Sequence, residues 1–234
     1  MRQIGFSHGV LFKMGDVYTA ENVQRLLNCG CNAIEVNYHH AKEFPLLINI
    51  LSSVQNFDYK SIHAPVDVRY KDDQTTRELL EKIENFYHEI KAKLVVVHPG
   101  LVDDWRVFNN FKVNWAIENM DDRQINFKNT DDLIEFFNQY DNWNLVLDLG
   151  HCNANDKTMT LAEDFIPCLK EKIKEIHLSG YKVFHDPLYK TQQTEIIKYC
   201  KKIDVPIIIE SVFEIDDGVT GIQKEFDYVM ENLK

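Results

Sequence analysis

The sequence predicts an α/β chain closed as a (β/α)8 barrel, one domain spanning residues 1–234, and three observations carry that expectation. Short apolar, β-branched runs end near residues 6, 36, 63, 98, 118, 148, 178 and 210, which gives eight candidate strands. Most are followed by a segment of helical period, and strand–helix alternation implies parallel strands joined by right-handed crossovers. Side chains able to bind metal stand at the ends of the third to eighth runs without a gap. A barrel gathers all of these at one mouth, whereas an open doubly wound sheet would leave strands far from its switch point with little to contribute.

Taken in order, the first run ends at Phe6 and the second, GCNAIEV, carries Glu35, read as a carboxylate of the barrel interior or rim. The third, YKSIHAP, ends at His63. Between it and the fourth, Leu79, Leu80, Ile83, Phe86, Tyr87 and Ile90 form one apolar stripe at helical spacing. The fourth run, LVVVHPG, ends at His98, and only DDWRVFNNFK separates it from the fifth, so this unit has the least room for a helix. The fifth, WAIENMD, ends at Glu118, and the sixth, LVLDLGH, at Asp148 with His151 just beyond. Pro167 is expected to shorten the following helix, since its ring removes a hydrogen bond and clashes with the preceding turn. The seventh run, KEIHLSG, carries His177 and leads to His185. The eighth, PIIIES, ends at Glu210, and Ile222, Phe226, Val229, Met230 and Leu233 mark a closing amphipathic helix.

Composition narrows the class. No stretch of eighteen or more apolar residues occurs, and the start MRQIGFSHGV lacks the character of a signal or transit peptide, so a cytoplasmic protein with no membrane partner is expected. Five cysteines without a CxxC pair argue against a disulfide framework or zinc knuckle, and Cys152 is read as a small buried hydrophobe. The formal net charge of −11 weakens tight, sequence-independent binding to a polyanion, because such binding comes mostly from Lys and Arg at phosphates.

Imidazole mixed with carboxylate suits zinc, manganese or a related divalent ion. A single histidine at a strand end is ordinarily a hydrogen-bonded or exposed residue, and His8, His39, His40 and His88 are assigned that role. Recurrence at one structural position in six consecutive strands carries the metal reading for the others. Carboxylates and imidazoles packed so densely would be costly to bury without a counter-charge.

The series HAP, HPG, IEN, LDxxH, IHL, HxPL and IES at successive strand ends resembles the xylose-isomerase-like TIM-barrel superfamily, over essentially the whole chain. That superfamily includes endonuclease IV and many sugar isomerases and epimerases. Resemblance to endonuclease IV implies that His63, His98 and Glu118 hold one metal, with Glu118 bridging to a second ion on Asp148, His177 and Glu210. A third ion in that family uses the histidine of LDxxH, here His151, with an Asp and a His two residues apart after strand seven. His185 matches that His, but Val183 stands where the Asp belongs, so one or two ions are expected. Asp186 is not expected to substitute for it, because a neighbouring residue projects differently.

The isomerase branch shares the core of Glu118, Asp148, His177 and Glu210. In it one ion chelates two substrate oxygens, and the two Glu residues exchange protons on opposite faces of a carbon. His151 and His185 would then bind substrate hydroxyl or phosphate groups. The loops after strands one, two, five and eight are short or acidic, as in ENMDDRQ and FEIDDG, unlike the basic, aromatic loops that kinking a duplex requires. Arg69, Tyr70, Tyr181, Lys182 and Phe184 are read as rim residues over a small-molecule pocket. The leading expectation is isomerisation or epimerisation of a small sugar, sugar phosphate or polyol. The alternatives are an endonuclease IV-like phosphoester hydrolase acting on abasic DNA or a small phosphoester, and a non-catalytic metal-binding relative.

Overall fold

A computed structural model describes residues 2–15 and 17–234 of the chain. The strands β1 (Ile4–Ser7), β2 (Ala33–Asn37), β3 (Tyr59–His63), β4 (Leu94–Val97), β5 (Trp115–Glu118), β6 (Asn144–Asp148), β7 (Ile173–Leu178) and β8 (Ile207–Ile209) pair in parallel in chain order. Pairing of β1 with β8 closes the sheet, so the expected (β/α)8 barrel is present. Each strand ends within one residue of the position at which its apolar run stops.

Both faces of these strands are largely buried, and β4 (LVVV) and β8 (III) are accordingly apolar throughout. Alternate side chains still separate. Ala33, Tyr59 and Ile208, and likewise Leu94, Val96, Ala116 and Val146, pack inside the barrel. Ile34, Val36, Ile62, Val95, Val97, Ile117, Leu145 and Leu147 join the main core under the helices. Gly5 is required where β1 meets β2: a Cβ there would lie 1.6 Å from the Ala33 carbonyl oxygen.

The outer layer is uneven. Helix α1 (Ala20–Asn28) is capped by Thr19, whose hydroxyl accepts from the Asn22 N–H, and the single turn α2 (Leu51–Val54) follows the second strand. Helix α3 (Gln74–Ile90) starts at Asp73, whose carboxylate accepts from the Thr76 N–H, and it buries the whole predicted stripe. Helices α4 (Thr130–Gln139), α5 (Leu149–Asn155), α6 (Thr160–Leu169), α7 (Leu188–Thr191), α8 (Thr194–Cys200) and α9 (Gly218–Leu233) complete the layer. Helix α6 runs through Pro167 and stops two residues later, so the proline sits near its end rather than breaking it. No α-helix joins β4 to β5. Two 3-10 turns, Pro99–Leu101 and Trp105–Asn110, stand there, and bulky rings fill the missing helix's place. Phe108 packs 5.0 Å from Trp115 and 5.1 Å from Trp143, and Trp105 lies 4.6 Å from Phe136 and 4.9 Å from Trp143. Such edge-to-face pairs add to the area they bury.

Phe108 is fully buried in this cluster, so Phe108→Ala should lower unfolding free energy by about 3–5 kcal/mol in urea titration. A loss under about 1 kcal/mol would show that the cluster does not stand in for a helix.

Candidate metal centre and active site

Side chains alternate across a strand, so each strand has a last position facing the barrel interior. These are Ser7 on β1, Asn37 on β2, His63 on β3, His98 just past β4, Glu118 on β5, Asp148 on β6, His177 on β7 and Glu210 just past β8. The barrel thus brings together every residue expected to hold metal. A cavity of about 710 Å³ opens above them, lined by Ser7, Asn37, His63, His98, Glu118 and Glu210 among others. Asp148 and His177 form the buried floor.

Glu118 stands at the centre. Its Oε2 lies 3.1 Å from His98 Nε2 and 3.7 Å from His63 Nε2, while its Oε1 lies 3.2 Å from His177 Nδ1. One carboxylate thus faces two separate groups of side chains. Glu210 approaches the same His177 Nδ1 at 3.3 Å. The ligand-type atoms of Glu118, Asp148, His177 and Glu210 all lie within 4.8 Å of one another, as do those of His63, His98 and Glu118.

Hydrogen bonds aim the rings. His63 Nδ1 lies 3.0 Å from the Ala64 carbonyl and His151 Nδ1 lies 2.9 Å from the Asn119 carbonyl. A carbonyl can only accept, so both Nδ1 atoms carry hydrogen and both Nε2 atoms are left to face the site. His177 is turned the other way. Its Nε2 lies 3.1 Å from Glu35 and 3.2 Å from Glu175 in the barrel interior, which directs Nδ1 at Glu118 and Glu210. Asp148 is held by its own helix, since Oδ1 accepts from the His151 N–H at the start of α5. The Asn119 side chain spans the Asp148 backbone on both N–H and carbonyl.

Charge in this space is unbalanced by protein alone. Burial, reinforced by Glu118 and Glu210, pushes the Asp148 carboxyl up to about 8. Burial works against ionised Glu210 too, but the neighbouring His177 holds it at about 2; His151 and His177 likewise keep Glu118 well below the usual carboxylate range. Burial disfavours the His63 cation, yet its hydrogen bond to Glu118 and the charges of Glu35 and Glu210 raise it to about 9. Burial depresses His98, and it lowers His185 to about 4. Buried Asp148 Oδ2 has no hydrogen-bond partner. A donor set of imidazoles and carboxylates with an orphaned buried carboxylate oxygen fits a divalent ion of the zinc or manganese type.

The expected third group is altered. Val183 is 81% exposed and turned away from the centre. Asp186 Oδ2 accepts from the N–H groups of residues 182, 183 and 184, so it shapes the loop and does not replace the missing Asp. His151 and His185 do meet, with ring centroids 5.5 Å apart, and Asp148 is the carboxylate whose oxygen comes within 4.8 Å of both.

Two buried carboxylates here have no counterpart in the sequence reading. Glu175 is two residues before His177 on one strand, a spacing that puts both on the interior face and could have been recognised. Asp121 accepts from Tyr181 Oη at 2.8 Å and pairs with Arg123, and its Oδ2 lies 4.0 Å from His151 Nε2; it sits in a loop where no periodicity marks it.

Other residues fall as follows. Arg69 pairs with Asp103 on the surface and buried Tyr70 donates to the Pro65 carbonyl, so neither borders the cavity. Phe184 lines it, and Tyr181 and Lys182 flank an adjoining hollow. His39 and His40 stand at the rim, His8 is buried beneath it, His88 lies on the surface, and Cys152 is buried.

Neither a protein-family model nor a curated protein matches the sequence. Solved structures match over their whole length. D-allulose 3-epimerase from Methylomonas sp. has a TM-score of 0.69 at 16% identity, covering 99% of this chain and 98% of that one. The 3-keto-D-glucoside 4-epimerase YcjR from E. coli has a TM-score of 0.67 at 11% identity, covering 99% and 100%. The probable 3-DHS dehydratase AsbF from Bacillus anthracis, involved in petrobactin synthesis, has 0.71 at 13%, covering 98% and 99%. At such identities the likeness is one of fold alone, the closed barrel of eight parallel strands.

Two outcomes test the centre. EDTA should lower the melting temperature of the zinc- or manganese-loaded protein, and Asp148→Ala should abolish most of that difference while His88→Ala keeps it, since an ion that binds only the folded state stabilises it; equal EDTA shifts in Asp148→Ala and wild type would remove Asp148 from the ligands. Because His63 must shed a proton held up to about 9, zinc affinity in calorimetry should weaken as pH falls below that value, with proton release on binding. Affinity that is flat with pH would contradict the ligand set.

Proposed function

We propose that this chain is a divalent-metal-dependent enzyme that isomerises or epimerises a small sugar, sugar phosphate or polyol. One observation carries the reading: Glu118 and Glu210 converge on His177 Nδ1, at 3.2 and 3.3 Å, from strands separated around the barrel, beneath one substrate-sized cavity. Two carboxylates placed so can take a proton from a carbon beside a carbonyl and return one from another direction.

Residues Glu118, Asp148, His177 and Glu210 would hold the ion, with His63 and His98 available beside Glu118. A bound divalent ion would lower the cost of the negative charge that develops on substrate oxygens as a proton leaves carbon. The protein supplies the rest. Glu35 and Glu175 fix the His177 ring, Asn119 and the α5 backbone fix Asp148, and His151 beside Glu118 and His185 beside Glu210 would bind substrate oxygens. Burial of the floor keeps water from the reacting carbon and strengthens every charge there. The fold is shared with D-allulose 3-epimerase and 3-keto-D-glucoside 4-epimerase, and the formal charge of −11 suits a small substrate better than a nucleic acid.

A specific observation favours a second reading. Glu118 turns one oxygen to His63 and His98 and the other to His177, the disposition of a carboxylate shared by two ions, and two ions suit hydrolysis of a phosphoester, small or in abasic DNA.

The two are separated by incubating manganese- or zinc-loaded enzyme in D2O with five- and six-carbon ketoses and aldoses. Proton transfer at carbon should incorporate deuterium, and Glu210→Gln with its metal retained should slow this by roughly 10²–10⁴-fold. Two ions per chain with cleavage of a phosphodiester or abasic oligonucleotide, and no deuterium in any sugar, would replace the first reading by the second.

A further inference from the structure

Six of the eight strand-end positions around the mouth are imidazole or carboxylate; the other two, Ser7 and Asn37, are neutral. They stand on the neighbouring strands β1 and β2, so the ring has one uncharged arc. Asn37 pairs in register with His63 on one side of this arc, and β1 pairs with β8, which leads to Glu210, on the other. Both residues line the cavity and both are buried.

Ser7 Oγ and Asn37 Oδ1 have no hydrogen-bond partner, and among the described residues they are the two cavity-lining positions with a buried polar atom in that state. The remaining unpartnered buried atoms, including those of Glu35, Ser61, Asp148 and Glu175, belong to residues that do not line it. A buried polar group left unpaired costs about 1–3 kcal/mol. Folding gives no return for two of them on adjacent strands of one cavity wall, whereas ligand binding does. Their placement is also fixed. The Asn37 N–H donates to His8 Nδ1 at 2.9 Å, and Gly9 packs so closely that a Cβ there would lie 3.4 Å from Asn37 Cβ and Cγ.

Charge restricts what could bind here. Arg123 is the one Lys or Arg lining the cavity among the described residues, and its guanidinium is paired with Asp121 and stacked 4.5 Å from the Phe184 ring at the outer rim. The basic groups nearest the Ser7–Asn37 arc are the rim imidazoles His39, which burial holds below its ordinary value, and His40, which pairs with Asp67, and no Lys or Arg stands beside the arc to neutralise a phosphate or carboxylate.

We propose that Ser7 and Asn37 form the subsite that binds uncharged hydroxyl groups of the substrate, and that the substrate is a free sugar or polyol and not its phosphate ester. Asn37 Oδ1 accepts from one hydroxyl, and Ser7 Oγ donates to or accepts from another. Ser7 pairs in register with Glu35, so Asn37 stands two residues further along β2, and hydroxyls near opposite ends of one carbon chain can reach across that diagonal of about 7–8 Å. This assignment rests on the isomerase reading and adds the class of substrate to it.

The test uses manganese-loaded full-length wild type, Ser7→Ala and Asn37→Ala, with kcat and KM measured by deuterium exchange on ketoses, aldoses, their phosphate esters and monodeoxy analogues. Wild type should prefer a neutral sugar to its phosphate by at least about tenfold in kcat/KM. Each variant should raise KM roughly three- to tenfold with kcat within about twofold, the signature of binding made equally in ground and transition state. Loss of one substrate hydroxyl should carry the same penalty in wild type and none in the matching variant. The melting temperature of Ser7→Ala should stay level or rise, because an apolar side chain removes an unpaired buried group. If Asn37→Ala does not fold, Asn37→Ser takes its place, with a smaller rise expected. Unchanged KM in both variants, a preference for the phosphate ester, or a fall in melting temperature and metal content without a change in KM would overturn the subsite while leaving the isomerase reading intact. Failure of wild type to exchange deuterium into any sugar would overturn both.

Discussion

Everything at the mouth of this barrel depends on burying Glu118, Asp148 and Glu210 together: Glu118 and Glu210 both reach His177 Nδ1, and an oxygen of Asp148 lies within 4.8 Å of the same group. Ionised carboxylates so placed repel one another at low dielectric and are costly without a partner of opposite charge. The protein distributes the burden unequally. Glu118 and Glu210 stay charged against His177 and its neighbours, and Asp148 takes up a proton up to about 8. A divalent ion would satisfy all of them at once.

That arrangement reaches two layers down. His177 can point Nδ1 into the cluster because Glu35 and Glu175 occupy Nε2 from below, where other strands place Val96, Ala116 and Val146. One side of the barrel interior is therefore polar and the other apolar. The polar side holds the His177 ring from below, which sets the nitrogen that faces Glu118 and Glu210. In the helical layer, the rings of Trp105, Phe108, Trp115, Phe136 and Trp143 fill the place of a unit with no helix.

The solved structures that match this chain share 11–16% identity with it over nearly full length. A barrel of parallel strands needs only interior residues of suitable size and strands of suitable length, so many sequences satisfy it. Function resides in side chains added at the strand ends. The neutral Ser7–Asn37 arc and the exposed Val183 are two places where this chain fills that common frame in its own way.

The sequence by itself determined the eight strands, the stripes on α3 and α9 and the six imidazoles and carboxylates at strand ends, because each is a local pattern: apolar run, helical period, and a titratable side chain where the run stops. Glu175 was also within reach of the strand's period of two. Tertiary structure alone decided the rest. Asp121 meets His151 through a loop with no period, Arg69 and Tyr70 turn from the cavity to satisfy nearby partners, and Asp186 gives its carboxylate to its own loop. That Ser7 and Asn37 are unpaired is a property of their surroundings, and no pattern along the chain encodes it, because a hydrogen bond depends on which atoms closure of the barrel brings within reach.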